Sequence, residues 1–159
     1  MHTIAHIVEE HGGRLFAYLL RLTGNQDTAH DILQESVTRC MERYEGREVS
    51  PSLLFTVARN AFIDHVRKNG RYAGLDDDHP DPAADQEHAA IVKDGFLNVL
   101  RGLQTLSDEE RDILSMVAGG GLSYGEIAGI MSMSAGNVKV KVHRARLKLK
   151  EYLEGGNHE

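Results

Sequence analysis

The stretch from Leu122 to Leu149 constrains the fold of this chain more than any other. It contains two short helical patterns that are separated by the break Ser132-Met133-Ser134. Ser123 and Glu126, three residues apart, form a capping box that predicts the start of the first helix. Ser134 is placed to cap the second helix. Two short helices joined by a tight turn are therefore predicted here.

The second of these helices is amphipathic and strongly basic. One stripe at helical spacing is predicted to be buried, and it consists of Val138, Val142, Ala145 and Leu149. No acidic residue interrupts residues 136–150, where the other faces carry six cations, Lys139, Lys141, Arg144, Arg146, Lys148 and Lys150. This pattern is typical of a helix-turn-helix that reads the major groove of DNA. The alternative is an ordinary helical hairpin with a solvated basic face.

The charge of the chain is unevenly distributed. Its 159 residues have a net charge of −6, but residues 71–98 alone hold seven acidic and two basic side chains. Local charge decides contact with DNA, so the negative total does not exclude a DNA-binding surface. Residues 71–86 are rich in Asp, Pro and Gly and are predicted to form a flexible acidic linker.

The remaining segments show helical spacing of apolar residues, and none alternates like a strand. Helices are predicted from about Thr3 to Leu22, Asp27 to Tyr44 and Ser50 to Lys68, with Gly12-Gly13 favouring a break in the first. Beyond the linker, one helix ends near Leu103, and another runs from Ser107 to the glycines 119–121, which are interpreted as a connector. The predicted fold class is all-α, with two small helical domains at residues 1–70 and 87–154, the linker 71–86 between them and a tail at 155–159.

Several classes of protein are disfavoured by the sequence. No apolar run approaches the roughly 18 residues of a membrane span, and the N-terminus lacks a signal-peptide core, so no direct membrane insertion is expected. The single cysteine, Cys40, suits a cytoplasmic location and lies on an apolar stripe, which favours a core role over redox sensing. His2 and His6 are four residues apart, but spacing places no third ligand, so neither a metal site nor a cofactor is expected. No catalytic arrangement stands out, so neither enzyme activity nor a small-molecule substrate is expected.

Three blocks of sequence resemble one known family. Residues 27–35 are similar to its AEDLVQE segment, residues 53–68 to WLFTIARNLAIDHLRK, and residues 138–146 to VKSRLHRAR. Where the family usually has glutamate and tryptophan, this chain has His30 and Leu53. In this order, with a linker between the second and third blocks, the chain resembles bacterial RNA polymerase sigma factors of the extracytoplasmic-function (ECF, group IV sigma-70) family.

The resemblance implies a role for each domain. Residues 1–70 would be sigma region 2, which binds core RNA polymerase through Asp31, Gln34 and Glu35. The same domain would hold the melted −10 strand, with Arg59, Asn60, Arg67 and Lys68 on its backbone and the loop 45–50 forming a base pocket. Residues 87–154 would be region 4, which binds the −35 element through Ser134, Asn137, Lys139, Lys141, Arg144 and Arg146. For Arg59, the alternative is an ion pair with Asp64 across turns of their shared helix.

The resemblance also implies partners and a function. They are core RNA polymerase, through its β′ clamp helices and β flap, promoter DNA, and an anti-sigma factor. The implied function is an alternative sigma factor that directs transcription initiation at a restricted regulon. One alternative is a stand-alone helix-turn-helix regulator, which would dimerise and bind duplex DNA without polymerase. The other is a sigma-like decoy that sequesters an anti-sigma factor, which would be expected to lack the recognition-helix cations.

Overall fold

The computed structural model describes residues 3–70 and 87–156, with residues 87–94 described as backbone, and within these ranges it contains seven helices and no strand. The N-terminal lobe (residues 3–70) consists of α1 (Ile4–Thr23), α2 (Gln26–Tyr44) and α3 (Pro51–Asn69). The C-terminal lobe (residues 87–156) consists of α4 (Glu87–Gln104), α5 (Asp108–Ala118), α6 (Tyr124–Met131) and α7 (Ala135–Gly156). The all-α prediction is confirmed. The predicted linker 71–86 lies outside the described residues, and α7 extends two residues into the predicted tail.

Side-chain caps set where the helices begin, and the caps at Ser50, Ser107 and Ser123 stand at predicted helix starts. Asn25 Oδ1 accepts a hydrogen bond from the Thr28 backbone N–H at 2.9 Å at the start of α2. Ser50 caps α3, with Pro51 as its first residue. Ser107 and Ser123 form complete capping boxes at the starts of α5 and α6. These bonds satisfy N–H groups that a helix start leaves without an intrahelical partner.

Helix α1 is continuous, so the predicted break at Gly12-Gly13 is wrong. Each glycine costs an isolated helix about 1 kcal/mol relative to alanine. The buried residues Ile7 and Leu15 on either side of the pair anchor both halves of α1 in the core. Tertiary packing of this face outweighs the low helix propensity of the two glycines.

The two lobes share one hydrophobic core. Ile113 and Met116 of α5 are fully buried in the same cluster as Leu15, Tyr18 and Phe55 of the N-terminal lobe. A polar contact adds to this packing, because Gln104 Nε2 donates to the Arg21 carbonyl oxygen at 3.0 Å. The lobes that the sequence predicts as separate domains are therefore packed together in the structure.

The glycines at the end of α5 bring the lobes into backbone contact. A Cβ added to Gly119 would lie 2.7 Å from the carbonyl carbon and oxygen of Ala17 and 2.8 Å from the Tyr18 nitrogen. A Cβ on Gly120 would lie 2.8 Å from Cε1 of Phe55. Side chains at these positions would overlap α1 and α3. The segment predicted as a simple connector is thus a close-packing site.

A buried serine in α5 gives the first testable prediction. The Ser115 hydroxyl is fully buried and has no hydrogen-bond partner among the described residues. We expect Ser115→Ala to raise the free energy of unfolding by about 1 kcal/mol, because it removes an unsatisfied buried polar group. Urea unfolding followed by circular dichroism measures this change.

A matched serine provides the control for this substitution. Ser36 is equally buried, but its hydroxyl donates to the Ile32 carbonyl oxygen at 2.6 Å. Ser36→Ala should lower the free energy of unfolding by about 0.5–1 kcal/mol. Equal losses at the two positions would contradict the unsatisfied state of Ser115.

Candidate polymerase and nucleic-acid interfaces

Helices α6 and α7 form the predicted helix-turn-helix. The turn passes through Ser132, which has a left-handed backbone with φ of 55°, and the Met133 N–H donates to the Ala128 carbonyl oxygen at 3.1 Å. Ser134 Oγ accepts from the Asn137 N–H at 3.1 Å, so the predicted cap of the second helix is confirmed. The predicted stripe is buried against the lobe at Val138, Val142 and Ala145, while Leu149 is half-buried beside α4.

The opposite face of α7 is open to solvent. A helix turns by about 100° per residue, so within residues 137–150 the side chains farthest from the buried stripe are Val140, His143, Arg144 and Leu147. Val140 is 47% exposed and Leu147 48% exposed, which is unusual for large apolar side chains. Val140 lies close to the start of the helix, where an apolar group can contact a thymine methyl. Val140 is not among the predicted site residues, although its half-turn offset from the buried stripe could have identified it.

The predicted DNA-binding cations flank this open face on both sides. Lys139 and Arg146 lie on one flank of α7, and Asn137 and Lys141 on the other, while Arg144 is near the middle. Ser134, Asn137, Lys139, Arg144 and Arg146 are exposed, and Lys141 is half-buried. Cations on both flanks can bind the phosphates on the two sides of a DNA groove, and side chains in the middle of the face can contact base edges.

Two lysines of α7 pair with acidic residues at the start of α5. Lys141 Nζ contacts Glu109 Oε1 at 2.5 Å, and Lys148 Nζ lies 2.9 Å from Glu110 Oε2. The Lys148 hydrogen bond is the main cause that lowers the pKa of the Glu110 carboxyl. These pairs join α7 to α5, the helix that packs against the N-terminal lobe.

The residues predicted to bind polymerase are exposed on α2. Asp31, Gln34 and Glu35 lie within one turn of each other and face solvent. Arg39 fixes part of this face, because its Nε donates to Glu35 Oε1 at 3.0 Å and its Nη1 to Asp64 Oδ2 at 2.9 Å. Hydrogen bonding to Glu35 is the largest cause that raises the pKa of Arg39. Arg39 therefore ties the acidic face of α2 to α3.

A shallow cleft of about 250 Å³ runs between α2 and α3. Asp31 and Glu35 line one side of it, and Lys68 lies on the other.

Asn60 and Arg67 are also exposed on α3, with Arg67 Nη1 at 3.8 Å from Asp64 Oδ1. Three of the four predicted −10 residues are thus accessible from outside the molecule.

Arg59 is the exception among the predicted −10 residues. Its Nε donates to Asp112 Oδ2 of α5 at 2.7 Å, and Asp112 Oδ1 accepts from the Tyr18 hydroxyl, also at 2.7 Å. The alternative pair with Asp64 does not form, because residues five apart lie about 140° apart around a helix. Arg59 instead joins α3 to the C-terminal lobe.

Burial dominates the chemistry of this interlobe cluster. Asp112 is only 6% exposed, and burial raises the pKa of its carboxyl, while the Tyr18 and Arg59 hydrogen bonds oppose that shift. Burial, followed by the nearby Asp112 charge, raises the pKa of Tyr18 well above its usual value. Tyr18 therefore stays protonated, and its hydroxyl donates a hydrogen bond to Asp112.

The similarity to known proteins covers both lobes. The family model of Sigma-70 region 2 matches residues 7–72, and that of Sigma-70 region 4 matches residues 96–149. The ECF RNA polymerase sigma factor SigM of Bacillus subtilis is 34% identical over 167 aligned positions, which cover 99% of each chain. The chain belongs to the ECF family of RNA polymerase sigma factors. The sigma factor SigL of Mycobacterium tuberculosis is 33% identical to it, over 91% of this chain and 88% of SigL.

Solved structures show the same fold as this sigma factor. The sigma factor RpoE of Bartonella quintana, in complex with the anti-sigma factor NepR, has a TM-score of 0.68 at 23% identity, covering 95% of this chain and 94% of RpoE. CnrH, in complex with the cytosolic domain of CnrY, has a TM-score of 0.69 at 19% identity, covering 96% of this chain and 88% of CnrH. The all-α architecture is therefore that of other sigma factors.

Some side chains of this sigma factor have structural roles. The centroid of the His30 ring lies 4.7 Å from that of the Phe16 ring, a contact that helps to join α2 to α1. Cys40 is buried, and burial raises the pKa of its thiol, which fits the core interpretation. Among the described residues, no three His, Cys, Asp or Glu side chains are grouped to hold a metal ion, and His2 lies outside them.

None of the helices in residues 3–70 and 87–156 is both long enough and apolar enough to span a membrane.

Proposed function

We propose that this sigma factor binds core RNA polymerase through α2 and directs it to the promoters of a restricted regulon. The arrangement of α7 is the observation that supports this proposal most strongly. An open face with cations on both flanks follows a capped turn, and the same chain presents an acidic face at Asp31 and Glu35. The cationic face of α7 is complementary in charge to DNA, and the acidic face of α2 is complementary to a basic protein partner.

Region 4 would recognise the −35 element through α7. Lys139, Lys141 and Arg146 would bind phosphates on both sides of the major groove and fix the register of the helix. Val140 and Arg144 lie in the middle of the open face and would read base edges, together with Asn137 on the flank beside Arg144. The exposed Ser134 at the helix start adds a hydroxyl that can donate to a phosphate or a base.

Region 2 would capture the melted −10 strand. Extracting a base from the stack costs a few kcal/mol, which backbone contacts and a base pocket must offset. Asn60, Arg67 and Lys68 are exposed on α3 and would hold the strand backbone, and the loop 45–50 would form the pocket. Asp31, Gln34 and Glu35 would contact the β′ clamp helices, and region 4 would contact the β flap. We propose a cytoplasmic location, where polymerase and promoter DNA are found.

The polymerase would supply all the bond chemistry, so we propose that this chain has no catalytic activity of its own. Two chains of the same fold have been solved with a bound partner: the sigma factor RpoE with the anti-sigma factor NepR, and CnrH with the cytosolic domain of CnrY. We propose that an anti-sigma factor likewise controls this chain.

The decoy alternative is disfavoured by the six cations between Lys139 and Lys150. The stand-alone regulator would leave the exposed acidic face of α2 without a role.

A substitution in α7 tests the proposed division of labour. Lys141→Ala in the assembled holoenzyme should weaken promoter binding by about 1 kcal/mol and reduce the salt slope of binding by about 0.9, because one phosphate contact is lost. Binding to core polymerase should not change, because Lys141 lies outside the α2 face. Filter binding across a salt series measures the first effect, and anisotropy with core polymerase measures the second.

Arg43→Ala provides the control for charge, since Arg43 is an exposed cation of α2 outside the predicted sites. Its salt slope should equal that of the parent protein. Equal losses of promoter and core binding in Lys141→Ala would contradict the division of labour.

A further inference from the structure

Helix α5 contacts predicted DNA-binding cations in both lobes. Asp112 holds Arg59 of region 2, and Glu109 holds Lys141 of region 4. The two carboxylates are three residues apart on one helix, and each pairs with a cation that promoter DNA would also bind. In both pairs, the carboxylate occupies the position beside the cation that a phosphate oxygen of bound DNA would take.

The Arg59 pair is the more strongly held of the two. Arg59 and Asp112 lie on the wall of an interlobe cleft of about 450 Å³, and both oxygens of Asp112 accept hydrogen bonds at 2.7 Å. The Arg59 side chain is only 26% exposed. Beside this cluster, the Gly119 backbone packs directly on α1. A nucleic-acid strand could therefore engage Arg59 fully only after α5 had moved off region 2.

The Lys141 pair is on the surface and needs no movement of the lobes. The Lys141 side chain is 25% exposed, and Glu109 is 47% exposed. A phosphate that binds Lys141 must displace the Glu109 carboxylate and remain close to its negative charge. Such exposed pairs are weak, so a full set of promoter contacts could displace Glu109 while a few nonspecific contacts would compete poorly.

We propose that Asp112 and Glu109 are intramolecular competitors of promoter DNA, which occupy Arg59 and Lys141 in the free sigma factor and so restrict binding to specific promoters. This inference rests on the DNA-binding role that the family resemblance implies for Arg59 and on the role that we propose for Lys141. Nonspecific affinity depends on the number of phosphates neutralised, so two occupied cations lower it directly. Removal of either carboxylate charge should then increase nonspecific affinity and make it more dependent on salt.

The test uses the full chain without polymerase and two labelled probes of mixed sequence, a single-stranded 20-mer and a 20-base-pair duplex. Asp112→Asn keeps an acceptor for the Tyr18 hydroxyl but removes the negative charge that pairs with Arg59. This variant should bind the single strand about tenfold more tightly than the parent protein. Glu109→Gln should bind the duplex about threefold more tightly. The log–log salt slopes should become steeper by about 0.7 for the single strand and about 0.9 for the duplex.

Glu42→Gln is the matched control, because Glu42 is an exposed acidic residue of α2 outside the predicted DNA sites and the interlobe cleft. It makes the same change of net charge and should leave both slopes unchanged. The double variants Asp112→Asn/Arg59→Ala and Glu109→Gln/Lys141→Ala should lose the gain. Circular dichroism confirms folding, and the exposed position of Glu109 keeps the test valid if Asp112→Asn is unstable.

The outcomes separate this inference from the proposed function. Salt slopes equal to those of Glu42→Gln, or gains in affinity that survive removal of the cation, would overturn the inference even if the parent protein binds core polymerase. Steeper slopes that depend on Arg59 and Lys141 support it. Failure of the parent protein to bind core polymerase would overturn the proposed function, while the slopes would still report whether the carboxylates shield these cations.

Discussion

Gly119→Val is expected to separate the two lobes of this sigma factor. A Cβ at this position would lie 2.7 Å from the Ala17 carbonyl group, and backbone atoms cannot move aside as the end of a side chain can. Ile113 and Met116 of the same helix would lose part of their packing in the shared core. We expect a loss of about 3 kcal/mol in the free energy of unfolding. Urea unfolding measures that loss, and small-angle X-ray scattering should show a larger radius of gyration.

A second glycine controls for the change of residue type. Gly129 lies within α6, and a Cβ there would meet no atom within 4 Å. Gly129→Ala should raise the free energy of unfolding by about 0.5–1 kcal/mol, because alanine favours the helix. The radius of gyration should stay the same. If Gly119→Val keeps the parent radius and stability, the close packing of α5 on α1 is wrong.

Glu35→Lys is expected to abolish productive binding to core polymerase. Glu35 is exposed, so the fold should survive, and Arg39 would keep its bond to Asp64. The new lysine would repel Arg39 and place positive charge where we propose that a basic partner binds. Like charges brought together at an interface cost several kcal/mol, so affinity should fall about 100-fold. Anisotropy titration with labelled sigma factor measures the dissociation constant.

Glu9→Lys makes the same change of charge at an exposed position on α1, outside the proposed interface. Its affinity for core polymerase should stay within about twofold of the parent protein, and the melting temperatures of both variants should match the parent. An equal loss of affinity in the two variants would indicate a general effect of charge. Unchanged affinity in Glu35→Lys would remove α2 from the interface.

Local features of the fold could be predicted from the sequence because they depend on neighbouring residues. Ser134 and Asn137 are three residues apart, and their capping bond forms as predicted. The buried stripe Val138, Val142 and Ala145 follows from helical spacing alone. These elements define the helix-turn-helix, so most of the proposed −35 surface is readable without coordinates.

Contacts between the lobes could not be predicted in this way. Arg59 and Asp112 are 53 residues apart, and no local pattern relates them. Gly119 has the sequence context of a connector, and its contact with Ala17 appears only when α5 lies on α1. The same limit applies to Gly12 and Gly13, whose low helix propensity is outweighed by core packing on either side.

The most direct test of sigma activity is run-off transcription with purified core RNA polymerase on genomic fragments. Addition of this chain should produce transcripts from a small set of start sites that core polymerase alone does not use. Those sites should share −10 and −35 sequences, and the transcripts should disappear with Glu35→Lys. The absence of new start sites, with the chain footprinting duplex DNA without polymerase, would contradict a sigma factor and favour a stand-alone regulator.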